Sequence, residues 1–222
     1  MVALSPEVFA QARTMMVDSQ LRPNRVNDVK LLGVFGSLPR EIFLPAAMAA
    51  RAYTDENIRM PNGRAMLAPM ATARLIQDAG VQPGENVLVV GSGTGYAAAA
   101  LAQLGANVTA LEEDNGLLQI ARLALAQLAS KVVQVTGPLA AGWAAKAPYD
   151  VILIEGAVDL VPEALANQLA ANGRIVLIRH DNDRVGCAAV GTRSAGGIAF
   201  VPKFDCSAPL LPGLAREAAF VF

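Results

Sequence analysis

From Gly84 onward the chain alternates short apolar runs with longer alanine- and leucine-rich runs of helical periodicity. The apolar runs predict strands over Asn86–Val90, Asn107–Leu111, Val132–Val135, Asp150–Ile154 and Arg174–Ile178. The longer runs predict helices over Gly95–Leu104, Asn115–Ala129 and Pro162–Ala171. Such alternation belongs to a parallel sheet with helices on both faces. The segments VLVV, VILI and RIVLI are apolar at almost every position, as strands are when both faces are covered, and so predict the centre of the sheet. After Arg179 the pattern shifts to strand-like pieces around Cys187–Thr192, Ile198–Phe204 and Ala218–Phe222, with no long helix between them and Gly196-Gly197 as a hairpin turn. An antiparallel edge is expected there.

Residues 1–80 follow a different pattern. Two helical stretches, about Pro6–Gln20 and Asn27–Leu38, precede a segment punctuated by Pro and Gly from Pro39 to Pro69, and a helix about Met70–Ala79 ends at Gly80. No repeat, low-complexity tract or flexible linker interrupts the chain. The expected organisation is one domain over 1–222, with 1–80 an N-terminal helical extension and 81–222 an α/β core.

Composition narrows the functional classes. The 222 residues carry 18 Lys+Arg against 19 Asp+Glu, are 54% hydrophobic and only 17% charged. Low charge with high apolar content argues against disorder, and near-neutrality without a basic run argues against binding a nucleic-acid backbone. The mean hydropathy of +0.39 comes largely from alanine, and no stretch reaches the roughly 18–20 apolar residues of a membrane span. Glu7, Arg13 and Asp18 at helical spacing make the N-terminus unlike a signal peptide. Cys187 and Cys206, without a CxxC partner, predict buried thiols in a reducing cytoplasm and no metal site.

The most informative stretch is Val87-Leu88-Val89-Val90-Gly91-Ser92-Gly93-Thr94-Gly95-Tyr96, a buried strand running into glycines that open a helix. Such a turn sits at the carboxyl edge of the sheet, where open α/β folds bind ligands. Glycines let a ligand approach the backbone, and the helix start offers unpaired N–H groups. The dinucleotide fingerprint needs its third glycine where Tyr96 stands, and the Lys-Ser/Thr of a phosphate-binding loop is missing, so a nicotinamide-dependent oxidoreductase is disfavoured. GxGxG ending at Gly95 resembles the first motif of S-adenosylmethionine-dependent methyltransferases instead. About twenty residues on, the next strand ends at Glu112, followed by Glu113 and Asp114, where a carboxylate can accept both ribose hydroxyls of a nucleoside.

The resemblance extends to a particular family, the protein-L-isoaspartate (D-aspartate) O-methyltransferases, in a divergent bacterial branch. Met16-Val17-Asp18-Ser19-Gln20-Leu21-Arg22-Pro23 is similar to the family's N-terminal helix signature, and Leu38-Pro39-Arg40-Glu41-Ile42-Phe43-Leu44-Pro45 to its "PR..F.P" segment. Tyr53, the glycine turn, Ala147-Pro148-Tyr149-Asp150, Gln168-Leu169 with Asn172-Gly173-Arg174, and the closing Phe220-Val221-Phe222 continue it over nearly the whole chain.

The resemblance implies a three-layer, Rossmann-like S-adenosylmethionine-dependent methyltransferase sheet, mostly parallel with an antiparallel C-terminal edge. It implies methylation of the carboxylate of isoaspartyl residues in damaged proteins, which starts repair through a succinimide. It implies S-adenosyl-L-methionine as cofactor, S-adenosyl-L-homocysteine as product, and protein or peptide partners. The cofactor-binding residues are then Gly91, Ser92, Gly93, Gly95, Glu112, Glu113 and Leu139, with Leu111, Leu139 and Trp143 forming an apolar slot for adenine. A carboxylate nucleophile is already ionised near neutral pH, so alignment matters more than a general base.

The sequence departs from the family's pattern at defined positions. Aligned on Pro69, Gly63-Arg64-Ala65-Met66-Leu67-Ala68-Pro69 carries Ala65 and Leu67 where the family has a Thr and a Ser that help hold the acceptor. Val89 replaces an acidic residue before the glycine turn, and Pro138 replaces an Asp beside the adenine. Arg64 is a candidate replacement donor and Glu155, at the end of VILI, the best unassigned carboxylate. His180 reads as a loop residue. A relative that binds the cofactor but acts on another acceptor, or on none, is the alternative these changes raise.

Overall fold

The computed structural model describes residues 4–180, 185–194 and 196–216. Helices α1 (Pro6–Met16) and α2 (Val29–Ser37) open the chain, and α1 continues into a π-helical turn at Val17–Leu21. Strands β1 (Ile58–Arg59) and β2 (Ala65–Met66) form a small antiparallel hairpin before α3 (Pro69–Ala79). There follow β3 (Asn86–Val90), α4 (Tyr96–Gln103), β4 (Asn107–Glu112), α5 (Asn115–Leu128), β5 (Val133–Thr136), β6 (Tyr149–Val158), α6 (Glu163–Asn167), β7 (Leu169–Arg179), β8 (Cys187–Ser194) and β9 (Gly197–Asp205).

The seven long strands form one sheet in the order β5-β4-β3-β6-β7-β8-β9. The first five are parallel to their neighbours, while β7–β8 and β8–β9 pair antiparallel. The chain begins this sheet at β3, builds outward to β5, then returns to β3's other side with β6. Strand order therefore reverses between β3 and β6, and the crevice outside their carboxyl ends is the place such a sheet leaves for a ligand. The expected mostly parallel sheet with an antiparallel edge is what forms.

Burial follows the apolar pattern: Val87, Leu88, Val89 and Val90 of β3 and Val151, Ile152, Leu153 and Ile154 of β6 are all essentially inaccessible. Residues of α1 to α4 pack over one face of the sheet in one hydrophobic cluster, and Leu88, Leu111, Leu139, Ile152 and Ile175 lie in a second on the other. The N-terminal segment is also braced internally by polar contacts. Arg13 donates to the Tyr53 hydroxyl at 2.8 Å and to Glu41 at 3.2 Å, and Tyr53 in turn donates to Glu41.

Two expected boundaries move. The helix expected over Pro162–Ala171 stops at Asn167, because Leu169 pairs with Tyr149 at the start of the β6–β7 ladder and the Gln168 carbonyl accepts the Tyr149 amide at 2.8 Å. The sheet ladder overrides the alanine-rich helical preference. Gly197 lies in β9 opposite Ser194, so it belongs to a strand rather than to the hairpin turn. The strand-like piece at 218–222 lies outside the described residues. Cys206 is buried as expected, but Cys187 is only partly covered, because it sits at the first position of β8.

Candidate functional site

The crevice is built from the ends of β3, β4 and β6 with the β1–β2 hairpin above them. Gly91 leaves β3 at φ +69° and Gly95 caps α4 at φ +93°, both in the left-handed region that favours glycine. A Cβ at Gly95 would lie 2.9 Å from Leu125 Cδ1, so close packing against α5 forbids a side chain there as well. The turn is closed by the Gly95 amide donating to Ser92 O at 2.8 Å, and it is tied to β4 by the Ser92 amide donating to Leu111 O at 3.0 Å.

Glu112, the last residue of β4, is fully buried, and its carboxylate is the hub of the site. Oε2 accepts the Gly93 amide at 2.7 Å, and Oε1 accepts the Glu113 and Asp114 amides at 2.9 and 3.0 Å. Arg64 completes it with a two-pronged ion pair, Nη1 to Oε1 at 2.6 Å and Nη2 to Oε2 at 2.8 Å. Nη2 also reaches Gly91 O at 3.1 Å, so the guanidinium bridges two strand ends. Arg64 is only 5% exposed. It is aimed by the hairpin turn, in which Asn62 and Gly63 take positive φ and Met60 N donates to Arg64 O at 2.8 Å.

Glu155 of β6 lies at the same edge, 7% exposed, and its Oε2 meets no hydrogen-bond donor among the described residues. Burial pushes its carboxyl up to about 8, outweighing the pull of Arg40 and Arg64, and Glu112 pushes the same way. Arg40 is wholly buried beside it: Nε donates to Ala52 O at 2.8 Å, Nη2 donates to Leu67 O, and the guanidinium stacks 4.7 Å above the Tyr96 ring. Burial also holds the Tyr96 phenol up at about 12, so it stays protonated.

The remaining sequence-selected residues separate into three groups. Gly91, Ser92, Gly93, Gly95, Glu112 and Glu113 converge at the β3 and β4 ends. Leu111 and Trp143 meet beside Gly137, and Leu139 lies with them in the second hydrophobic cluster, Leu111 and Leu139 fully covered and Trp143 partly so. Leu67, at the Ser position of the alignment, turns its side chain fully into the core and presents only a carbonyl, which Arg40 takes. Val89 is buried mid-strand and Pro138 starts the short 3-10 turn Leu139–Ala141. His180 follows β7 and pairs through Nδ1 with Asp159 at 2.7 Å.

Two participants carry no sequence signal for this role. Leu211 returns from beyond β9, where the Ala157 amide donates to Pro209 O and the Leu211 amide to Ala157 O, and its side chain covers Gly91 and Gly156. A Cβ at Gly91 would lie 2.9 Å from Leu211 Cδ1, and one at Gly156 2.5 Å from its Cγ. Arg40 was visible only as part of the "PR" segment, whereas its burial against Tyr96 depends on the tertiary fold.

For a nucleoside, the glycine turn, the start of α4 and the carboxylate at the β4 end are the fitting parts. The carboxylate's oxygens are, however, already engaged by the chain's own donors. Arg64 is the one among them on a movable side chain.

Comparison with known proteins bears on this geometry. The profile of the family Protein-L-isoaspartate(D-aspartate) O-methyltransferase matches residues 11–193. A protein-L-isoaspartate O-methyltransferase of Methylorubrum populi is 42% identical over 166 residues, 75% of this chain and 78% of that protein. One from Methylorubrum extorquens is 37% identical over 206 residues, 87% and 88% of the two chains. A solved protein-L-isoaspartate O-methyltransferase superposes with a TM-score of 0.79 at 25% identity, covering 91% of this chain and 67% of its own. A Plasmodium falciparum chain so described, solved in complex with S-adenosyl-L-homocysteine, shares the fold with a TM-score of 0.75 at 18% identity, covering 90% and 97%.

Proposed function

The chain belongs to the protein-L-isoaspartate(D-aspartate) O-methyltransferase family, and from that membership we propose that it transfers the methyl group of S-adenosylmethionine to the carboxylate of isoaspartyl residues in proteins. The observation that carries the reading is the family match over residues 11–193, which runs from within α1 through α2 and the glycine turn with its partner carboxylate Glu112. S-adenosylmethionine, when bound, supplies an electrophilic methyl on a sulfonium.

The proposed binding residues are Gly91, Ser92, Gly93 and Gly95 along the turn, Glu112 and Glu113 for the ribose, and Leu139 with Leu111 and Trp143 toward adenine. The turn offers bare backbone, the start of α4 offers amides, and Glu112 offers carboxylate oxygens once Arg64 leaves them. The acceptor carboxylate attacks as the anion it already is. The protein's work is therefore to bring donor and acceptor into line and to exclude water, and a dedicated base is unnecessary. Burial of the edge beneath Leu211 and the hairpin serves that exclusion.

Residues 1–80 act with 81–222 as one unit in this reading, because Arg64 and Arg40 of the N-terminal part reach Glu112 and the Tyr96 ring of the core. The two unpaired cysteines suit a cytoplasmic setting. No helix among the described residues is long and apolar enough to cross a membrane.

The deciding experiment is transfer of labelled methyl from S-adenosylmethionine to an L-isoaspartyl peptide, with the ordinary aspartyl peptide as control and an active family enzyme alongside. Isoaspartate-dependent incorporation is expected. Binding of S-adenosyl-L-homocysteine without incorporation would move the acceptor to another chemical class.

A further inference from the structure

Glu112 has no acceptor capacity to spare. A carboxylate offers about four lone-pair directions, and donors from Arg64 Nη1, Arg64 Nη2, Gly93, Glu113 and Asp114 already converge on this one. Three of them are backbone amides fixed by the turn and by the start of α5. Only the guanidinium can leave. It lies across the glycine turn, between Glu112 and Gly91 O, where a ribose held by Glu112 would have to sit.

A nucleoside that takes the Glu112 oxygens strips Arg64 of its anion. A guanidinium this buried does not stay unpaired at low cost. Four buried ionisable side chains meet at this edge: Arg40, Arg64, Glu112 and Glu155. Burial disfavours the ionised form of Glu155, raising its carboxyl to about 8. With Glu112 bonded to an uncharged diol, the Arg64 guanidinium loses the anion it is paired with, and the edge gains no negative charge in exchange. Asp114, which also feels Arg64, is occupied by Asn62 Nδ2 at 2.5 Å and by the Leu117 amide at 3.0 Å. The acceptor of a carboxylate methyltransferase brings the missing anion with it. The hairpin's Ala65 and Leu67 carry no hydroxyl for it, and Leu67 faces the core.

We propose that Arg64 is the acceptor-binding residue of this chain, held on Glu112 in the cofactor-free protein, released when the nucleoside takes the Glu112 oxygens, and then paired with the carboxylate of the methyl acceptor. The inference rests on the methyl-transfer reading above. It implies an order in which the nucleoside binds first and the acceptor second.

The test measures S-adenosyl-L-homocysteine binding by calorimetry, and initial rates against isoaspartyl peptide at saturating S-adenosylmethionine, for wild type, Arg64→Ala and Arg64→Lys. Loss of one charge-assisted contact at the acceptor is expected to raise the peptide KM about 10- to 100-fold in Arg64→Ala with a smaller change in kcat. Removal of the internal competitor is expected to tighten S-adenosyl-L-homocysteine binding about tenfold in the same variant, the effect of one modest competing contact. Arg64→Lys should recover part of the peptide KM.

Unchanged peptide KM in Arg64→Ala overturns the acceptor role, and weakened S-adenosyl-L-homocysteine binding overturns the competition by making Arg64 a support for Glu112. Wild type that binds S-adenosyl-L-homocysteine without methylating the isoaspartyl peptide overturns the proposed function and the isoaspartyl acceptor together. Tighter binding in Arg64→Ala would still establish the exchange at Glu112 in that case. Should Arg64→Ala fail to fold, Arg64→Met keeps the packing of the stem and carries both readouts.

Discussion

Replacing Glu155 by Gln removes an ionisation while keeping the shape of the side chain, and the structure gives the sign and size of the effect. The carboxyl is buried with Oε2 unpartnered among the described residues, and burial pushes it up to about 8 against an ordinary 4.5, with Arg40 and Arg64 only partly offsetting that. A carboxyl raised in the folded state binds its proton more tightly there than in the unfolded chain. Stability is therefore retained below about pH 4.5 and lost as pH rises from there through about 8, at up to about 1.4 kcal/mol per pH unit and about 5 kcal/mol in all. A carboxamide cannot ionise, so Glu155→Gln should lack this component. Urea unfolding of both proteins at pH 5, 7 and 9 measures it: the stability of Glu155→Gln relative to wild type should grow with pH, by about 2–5 kcal/mol over the range. Parallel pH profiles for the two proteins would refute the reasoning, since they would mean that Glu155 is solvated or paired and titrates normally.

Three further outcomes follow from the same geometry. Gly95→Ala places a Cβ at φ +93° and 2.9 Å from Leu125 Cδ1, and should cost about 2–3 kcal/mol, seen as a lower melting temperature; an unchanged melt would contradict the turn as described. Arg40→Met leaves the buried carbonyls of Ala52 and Leu67 without their side-chain donor and should destabilise by about 3 kcal/mol in urea, whereas a neutral result would mean that water reaches both. Leu211→Ala should lose about 2–3 kcal/mol of stability yet bind S-adenosyl-L-homocysteine faster in stopped flow, because the cover over Gly91 is gone; an unchanged association rate would show that Leu211 does not limit entry.

The legible parts of the fold were those that local chemistry dictates. A run such as VLVV is apolar at every position because both faces of β3 are covered, and GSGTG marks a strand-to-helix turn because Gly91 and Gly95 take positive φ. The end of α6 was less legible. Ala-rich residues after Asn167 suit a helix in isolation, and only pairing of Leu169 with Tyr149 makes them strand. Glu112 was legible by its distance from the glycines, but the number of donors already on it was not.

Sequence alone determined the parallel α/β core, its antiparallel edge, the glycine turn and the acidic residue one strand over, because each is written in contiguous residues whose spacing has a direct backbone consequence. The tertiary structure decided what occupies that turn. Arg64 lies 48 residues before Glu112, and Leu211 is brought back by two hydrogen bonds to Ala157, so neither contact has a local pattern that could announce it. Their placement follows from how the hairpin and the C-terminal segment pack over the sheet edge. Burial there turns two ordinary arginines and two ordinary glutamates into one interacting site, because in a low dielectric every charge must find a partner or give up its ionisation.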